Sequence, residues 1–181
     1  MKQELLRLLD TYHTTDQYEA EMLKQTRQFV ATNPGCFDRS LLIGHVTGSA
    51  WILDPGYSHT LLVHHAKLDK WLQPGGHCDG DPDVLKVAAK EAFEETGLAV
   101  RAVSRHIFDV DVHRIPERRD VPAHLHYDIR FLFVAEMAEE DLVLNKEVKA
   151  LKWIHLSDVH LYNNEPSVLR MVEKCNAFVK A

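Results

Sequence analysis

The chain has 181 residues, 45% hydrophobic and 27% charged, which suits one globular domain with a sizeable core. No apolar run approaches the length of a membrane span, and the opening Met1-Lys2-Gln3-Glu4-Leu5 lacks the apolar core of a secretion signal. A net charge of −6 opposes binding to nucleic acid polymers, and three widely spaced cysteines, Cys36, Cys78 and Cys175, argue against a disulfide framework and for a reducing, cytoplasmic setting.

Residues 2–32 read as two helices broken near Thr14-Thr15-Asp16, with Leu5, Leu8 and Leu9, then Tyr18, Met22 and Phe29, at roughly helical spacing. Asn33-Pro34-Gly35 ends this section. Leu41–Val46 and Ala50–Leu53 are predicted as two strands joined by a Thr47-Gly48-Ser49 turn, and Asp54-Pro55-Gly56 closes the second. Thr60–His65 is a third strand. Past a central helix, 98–112 has the composition of a strand, and Arg114–Ala123 reads as a loop holding two prolines. Leu125–Val134 alternates at first and suits a half-buried strand. Glu147–Ile154 is another short strand. Pro166–Val179 is a terminal helix with Val168, Met171, Val172 and Phe178 on its buried face. There is no internal repeat. Strands on both sides of one central helix suggest an α/β fold, an α/β/α sandwich with a mixed sheet. The first 35 residues would be an N-terminal helical extension to a domain spanning residues 36–181, either covering a site, forming a homodimer contact or capping the sheet.

The most informative segment runs from Pro74 to Leu98. Pro74-Gly75-Gly76 allows a tight loop with close backbone approach. Asp81 is expected to cap a helix with Pro82 as its first residue, and Asp83 adds negative charge to the first turn. Leu85, Ala89, Ala92 and Phe93 form an apolar stripe, and Gly97 suits the left-handed stop. This places Glu91, Glu94 and Glu95 within about one turn, where like charges repel. Hard oxygen donors so gathered make sense around a divalent cation, with Mg²⁺ the natural candidate.

Gly76, Glu91, Glu94, Glu95, Gly97 and Leu98 stand in the register of the Nudix box, and the segment resembles that signature. Pro82 and Lys90 depart from it, standing where a Glu and an Arg are expected. A brace between Lys90 and Asp81 or Asp83 would compensate. The resemblance implies a Nudix-type α/β/α sandwich and a hydrolase using Mg²⁺ (or Mn²⁺). The expected reaction splits a diphosphate linkage in a small molecule, a nucleotide, nucleotide sugar or dinucleotide. It further implies that Glu91 and Glu95 bind metal most directly, that Glu94 helps, and that the Gly76 carbonyl can add a ligand. Alternatives are a non-catalytic nucleotide sensor and an isoprenoid diphosphate isomerase on the same fold.

The general base is open between Glu94, beside the metal, and Glu147, in a region where similar family members place a catalytic or metal-binding Glu. The 12 histidines invite more than one reading. His77 follows the glycine pair and is the candidate substrate contact. His113, His124 and His126 are candidates to approach a phosphate. His64-His65 lacks a third ligand at zinc-like spacing. His126, Asp128 and Arg130 share a strand face, so Arg130 is either a substrate clamp or the partner of Asp128 in an ion pair. Cys78 has no base beside it by any visible pattern.

Overall fold

A computed structural model describes residues 2–118, 121–137, 142 and 146–179, with side chains described as far as residue 177. The elements are helix α1 (Lys2–Thr11), α2 (Gln17–Thr32), strands β1 (Gly44–Leu53), β2 (His59–His65), β3 (Lys70–Leu72) and β4 (Gly75–His77), helix α3 (Val84–Thr96), strands β5 (Arg101–Ala102), β6 (Asp109–Ile115), β7 (His124–Val134) and β8 (Val148–His155), a 3₁₀ turn (Leu156–Leu161) and helix α4 (Pro166–Val179). The strands are hydrogen-bonded in the order β3-β2-β1-β7-β5, with β4 on β1, β6 on β7 and β8 on β2. This is the α/β fold with a mixed sheet, helices and a helical N-terminus that the sequence indicates. Among the described residues no helix is long and apolar enough to cross a membrane. The chain forms two compact units, exchanging between them at Ser49/Ala50, Gly75/Gly76, Ala88/Ala89, Ser104/Arg105 and Phe131/Leu132.

The first unit contains α1, α2, the start of β1, β6 and most of β7. Asp16 caps α2 by accepting the Glu19 N–H at 2.7 Å. Leu5 and Leu9 of α1 and Met22, Phe29 and Val30 of α2 are buried, whereas Tyr18 faces solvent. Phe29 stacks on Tyr127 of β7, ring centroids 3.9 Å apart. Glu19 is fully buried and accepts from the Tyr12 hydroxyl (2.6 Å), the Thr14 hydroxyl (2.5 Å) and the Val110 amide (3.1 Å), so α2 is tied to β6 by a charged group with several donors. Ile129, Phe131 and Val110 complete an apolar core.

Thr47-Gly48-Ser49 is not a turn. β1 runs unbroken and buried through it. The polar triplet is buried because a polar partner is buried with it: both hydroxyls donate to Asp128 Oδ1, at 2.9 Å and 2.8 Å. Gly48 is required by proximity. A Cβ there would meet the Val84 carbonyl oxygen at 2.9 Å. Asp128 in turn holds Arg130 Nε at 2.8 Å, and the same guanidinium reaches Asp109 and Asp111 at 3.2 Å each. Its charge is locked on, since three carboxylates outweigh the desolvation that opposes it.

The second unit is built on β2, which pairs antiparallel with β8 from His59↔His155 to His65↔Val148, with a register shift at His64/His65, and with β3 on its other side. Leu61, Leu62 and Val63 fill its core. Asp54 closes the β1–β2 turn by accepting the amides of Gly56, Ser58 and His59. The 98–112 region holds two strands rather than one. β5 pairs with the end of β7 in this unit, and β6 belongs to the other. β3 and β4 are strands too short to stand out by periodicity. α4 buries Val168, Met171 and Cys175, with Val172 only half-buried, and Trp51 Nε1 donates to Cys175 Sγ at 3.2 Å. The Phe178 side chain lies outside the described residues.

Two substitutions probe these contacts. Gly48→Ala places a methyl against helix backbone and should cost about 1–3 kcal/mol in urea unfolding. Wild-type stability would mean that β1 yields there freely. Arg130→Met strands three buried carboxylates and should cost about 3–5 kcal/mol, or prevent folding.

Candidate active site

The acidic cluster rests on how α3 begins and ends. Asp83 is the cap: its Oδ1 accepts the Lys86 amide at 3.1 Å, and its own amide donates to Asp81 Oδ1 at 3.0 Å. The helix therefore starts two residues beyond the expected point, because Asp81 spends its carboxylate on this turn and on the Lys86 ammonium at 2.8 Å. The expected brace from Lys90 to Asp81 or Asp83 is thus made by Lys86. At the other end the Thr96 hydroxyl donates to the Ala92 carbonyl, the Gly97 amide reaches Phe93 O at 2.8 Å, and Gly97 takes φ 80°.

The buried stripe is Val84, Val87, Ala88 and Ala92, and it continues into Glu95 and Thr96, while Phe93 is 58% exposed. Glu95 therefore sits on the inward face, 6% exposed. Its Oε2 accepts the Gly75 amide at 3.1 Å. Gly75 and Gly76 are in β4 rather than in a loop, entered from Pro74, whose carbonyl accepts the Ala50 amide at 2.9 Å.

Burial pushes the Glu95 carboxyl up to about 8, and the charges of Glu91, Glu147 and Glu94 push the same way against the opposing Gly75 hydrogen bond. Four carboxylates thus act on one another: one buried, Glu91 with a side chain 17% exposed, and Glu94 and Glu147 largely open to solvent. Lys90 does not brace the loop. Its ammonium lies 2.8 Å from Glu94 and 3.3 Å from Glu91, and the hydrogen bond to Glu94 leads in raising its pKa. Glu147 is held at 3.3 Å by Lys67, while its carbonyl accepts the Ala66 amide at 2.7 Å.

The remaining candidates divide differently. Gly76 and His77 are half-buried at the end of β4. The His77 ring centroid is 5.0 Å from those of His45 and His126, so it stands in a histidine cluster that no local spacing in the sequence announces. Arg130 is corrected as a substrate contact. Its side chain is 4% exposed and committed to Asp109, Asp111 and Asp128, and nothing in the sequence singles out the first two as its partners. His64 stacks on Trp71 and lies 3.1 Å from Asp69, while His65 Nδ1 accepts the Lys67 and Leu68 amides. Cys36, Cys78 and Cys175 are free and buried, and burial raises the Cys78 thiol far above its usual range, so it supplies no nucleophile.

A divalent cation fits this donor set. The carboxylates repel one another, one is held protonated by its surroundings, and an ammonium already rests on two of them. Oxygen donors of this kind suit Mg²⁺ or Mn²⁺.

A family model described as NUDIX domain matches residues 45–175. Among solved structures, a C. elegans Ap4A hydrolase in a binary complex aligns with TM-score 0.60 and 18% identity over 75% of this chain and 97% of that one. The MutT protein from Methanosarcina mazei Go1 aligns with TM-score 0.57 and 20% identity over 76% and 96%. A UDP-X diphosphatase gives TM-score 0.54 and 16% identity but covers 98% of this chain and 92% of its own. No curated protein matches the chain. At these identities the structures speak for the fold alone, whereas the family model spans well over half of the sequence, including the glutamate helix and its flanking strands, and on that ground the chain belongs to the NUDIX family.

Proposed function

We propose that this protein is a divalent-metal-dependent pyrophosphohydrolase acting on a small nucleoside diphosphate derivative, with residues 36–181 as the catalytic domain and residues 1–35 as its helical extension. The observation that carries the reading is Glu95, a carboxylate buried against the Gly75 amide, its pKa raised by that burial and then by its acidic neighbours. Two of the similar structures are named Ap4A hydrolase and UDP-X diphosphatase, both hydrolytic names with different substrates, which supports the class of reaction and leaves the substrate open.

In this reading Glu91, Glu94 and Glu95 hold Mg²⁺ or Mn²⁺. When bound, the ion neutralises phosphate oxygens and lowers the pKa of attacking water. The chain's own groups do the rest. The Gly75 amide orients Glu95. Lys90 offsets the charge of Glu91 and Glu94 until a substrate complex forms. Glu94 and Glu147 are the candidate proton acceptors. Each lies beside an ammonium, Lys90 at 2.8 Å from Glu94 and Lys67 at 3.3 Å from Glu147.

A panel of dinucleoside polyphosphates, nucleotide sugars, ADP-ribose and nucleoside triphosphates, incubated with Mg²⁺ or Mn²⁺ and read by product mass, tests the function. Metal-dependent release of a nucleoside monophosphate is expected from at least one of them. Glu95→Gln keeps an oxygen to accept the Gly75 amide but removes the charge. It should fold normally and lose about two orders of magnitude or more in turnover. Undiminished turnover would move the site elsewhere.

The pH dependence has a definite sign. Glu95 is raised from 4.5 to about 8, so between those values the folded state holds a proton that the unfolded state has lost. Metal-free stability therefore gains a downward slope as pH rises through that window, and Glu95→Gln removes it. Metal competes with the proton, so Mg²⁺ affinity should climb up to about pH 8, with proton release in calorimetry. Flat affinity would show that Glu95 is not a ligand.

A further inference from the structure

Five histidines gather in the first unit: His45 in β1, His77 in β4, His113 in β6, and His124 and His126 in β7. Their ring centroids lie 4.8 Å apart for His45–His126, 5.0 Å for His45–His77, His77–His126 and His45–His124, 5.2 Å for His124–His126 and 5.4 Å for His113–His126. Two of the five have other partners. His124 Nδ1 is 2.8 Å from the Pro122 carbonyl, and His113 Nδ1 is 3.4 Å from Asp111.

The other three, His45, His77 and His126, each bring one ring nitrogen within 4.8 Å of the others. His45 is 3% exposed, and among the described residues neither of its ring nitrogens makes a hydrogen bond; the Leu41 carbonyl is near enough to act on its charge but not in bonding geometry. His126 Nε2 is likewise buried with no hydrogen-bond partner among the described residues. Each buried polar atom left unpaired destabilises the fold. A single species bound among the rings can take one nitrogen from His45 together with one each from His77 and His126.

We infer that His45, His77 and His126 form a binding site for one Zn²⁺ ion, held by three imidazole nitrogens with a fourth position left open. Imidazole favours Zn²⁺ over Mg²⁺, and three histidines with one open position is an established zinc arrangement. Burial lowers the pKa of all three rings, which keeps them in the neutral form that binds metal. The adjacent Arg39–Asp79 pair adds opposed charges that act on His45 and His77. Tetrahedral zinc with Zn–N of about 2.0–2.1 Å holds its nitrogens about 3.4 Å apart, so the rings close by about 1.4 Å at most on binding. His77 and His126 are only half-buried, which gives the ion a way in. The ligand set shares no residue with the glutamates of α3.

The test uses the full chain, stripped with chelator and dialysed against micromolar Zn²⁺ with excess Mg²⁺. Bound zinc is read by mass spectrometry and X-ray absorption. One zinc per chain is expected in the wild type, with imidazole scattering from three ligands. The same stoichiometry is expected in Glu94→Gln/Glu95→Gln, and a loss of tenfold or more in zinc affinity in His77→Gln and His126→Gln. Zinc bound only at millimolar concentration, zinc retained by both histidine variants, or zinc lost from the glutamate variant overturns the proposal. If a histidine variant fails to fold, the wild-type absorption spectrum decides: three imidazoles support the site, and oxygen-dominated scattering overturns it. Because the readout is metal content, a failed diphosphate panel leaves this result intact.

Discussion

The hydrogen bond from the Gly75 amide to Glu95 is the constraint on which the acidic site turns. A glutamate at this point of an ordinary amphipathic helix would be excluded from the buried face. Here it is admitted because a backbone donor, the Gly75 amide, meets it. Holding Glu95 inward fixes the rotation of α3. That rotation puts Glu91 at the edge of exposure and Glu94 in solvent. The three glutamates of one helix thus stand in three different surroundings, from buried to open.

The first unit solves a related problem by different means. Asp128 is buried with two hydroxyls and an arginine, Glu19 with a phenol, a hydroxyl and an amide. Each buried charge carries several donors or partners, so removing one partner costs far more than the contact itself contributes. The histidine cluster stands out against this background. In a core where charged groups are so fully matched, the unmatched nitrogens of His45 and His126 call for a reason.

Much of this is legible in the chain. The helix-forming segment with Glu91, Glu94 and Glu95 declares itself through spacing and through Gly97, and the terminal helix and the strand ending at Val134 fall within a residue of where the pattern puts them. The departures have common physics. Thr47-Gly48-Ser49 looks like a turn because its residues favour turns in isolation. Only the distant Asp128 makes it a strand. Arg130 looks available because a sequence does not show that β6 pairs with β7, setting Asp109 opposite Arg130 and Asp111 opposite Asp128. Hydropathy alone ranks Phe93 inward and Glu95 outward, and Gly75, far off in sequence, reverses the order. The histidines are spread over β1, β4, β6 and β7, with no local spacing to link them. In each case the decisive partner is remote in sequence.

The three buried thiols offer one last consequence. Cys36 and Cys78 lie in the first unit and Cys175 in the second, at 0%, 4% and 1% exposure. A thiol so enclosed reacts with alkylating reagents only when its surroundings open. The chain therefore carries its own clocks, two in one unit and one in the other. Mass-resolved labelling rates at each cysteine would report how often each unit opens, with no residue replaced.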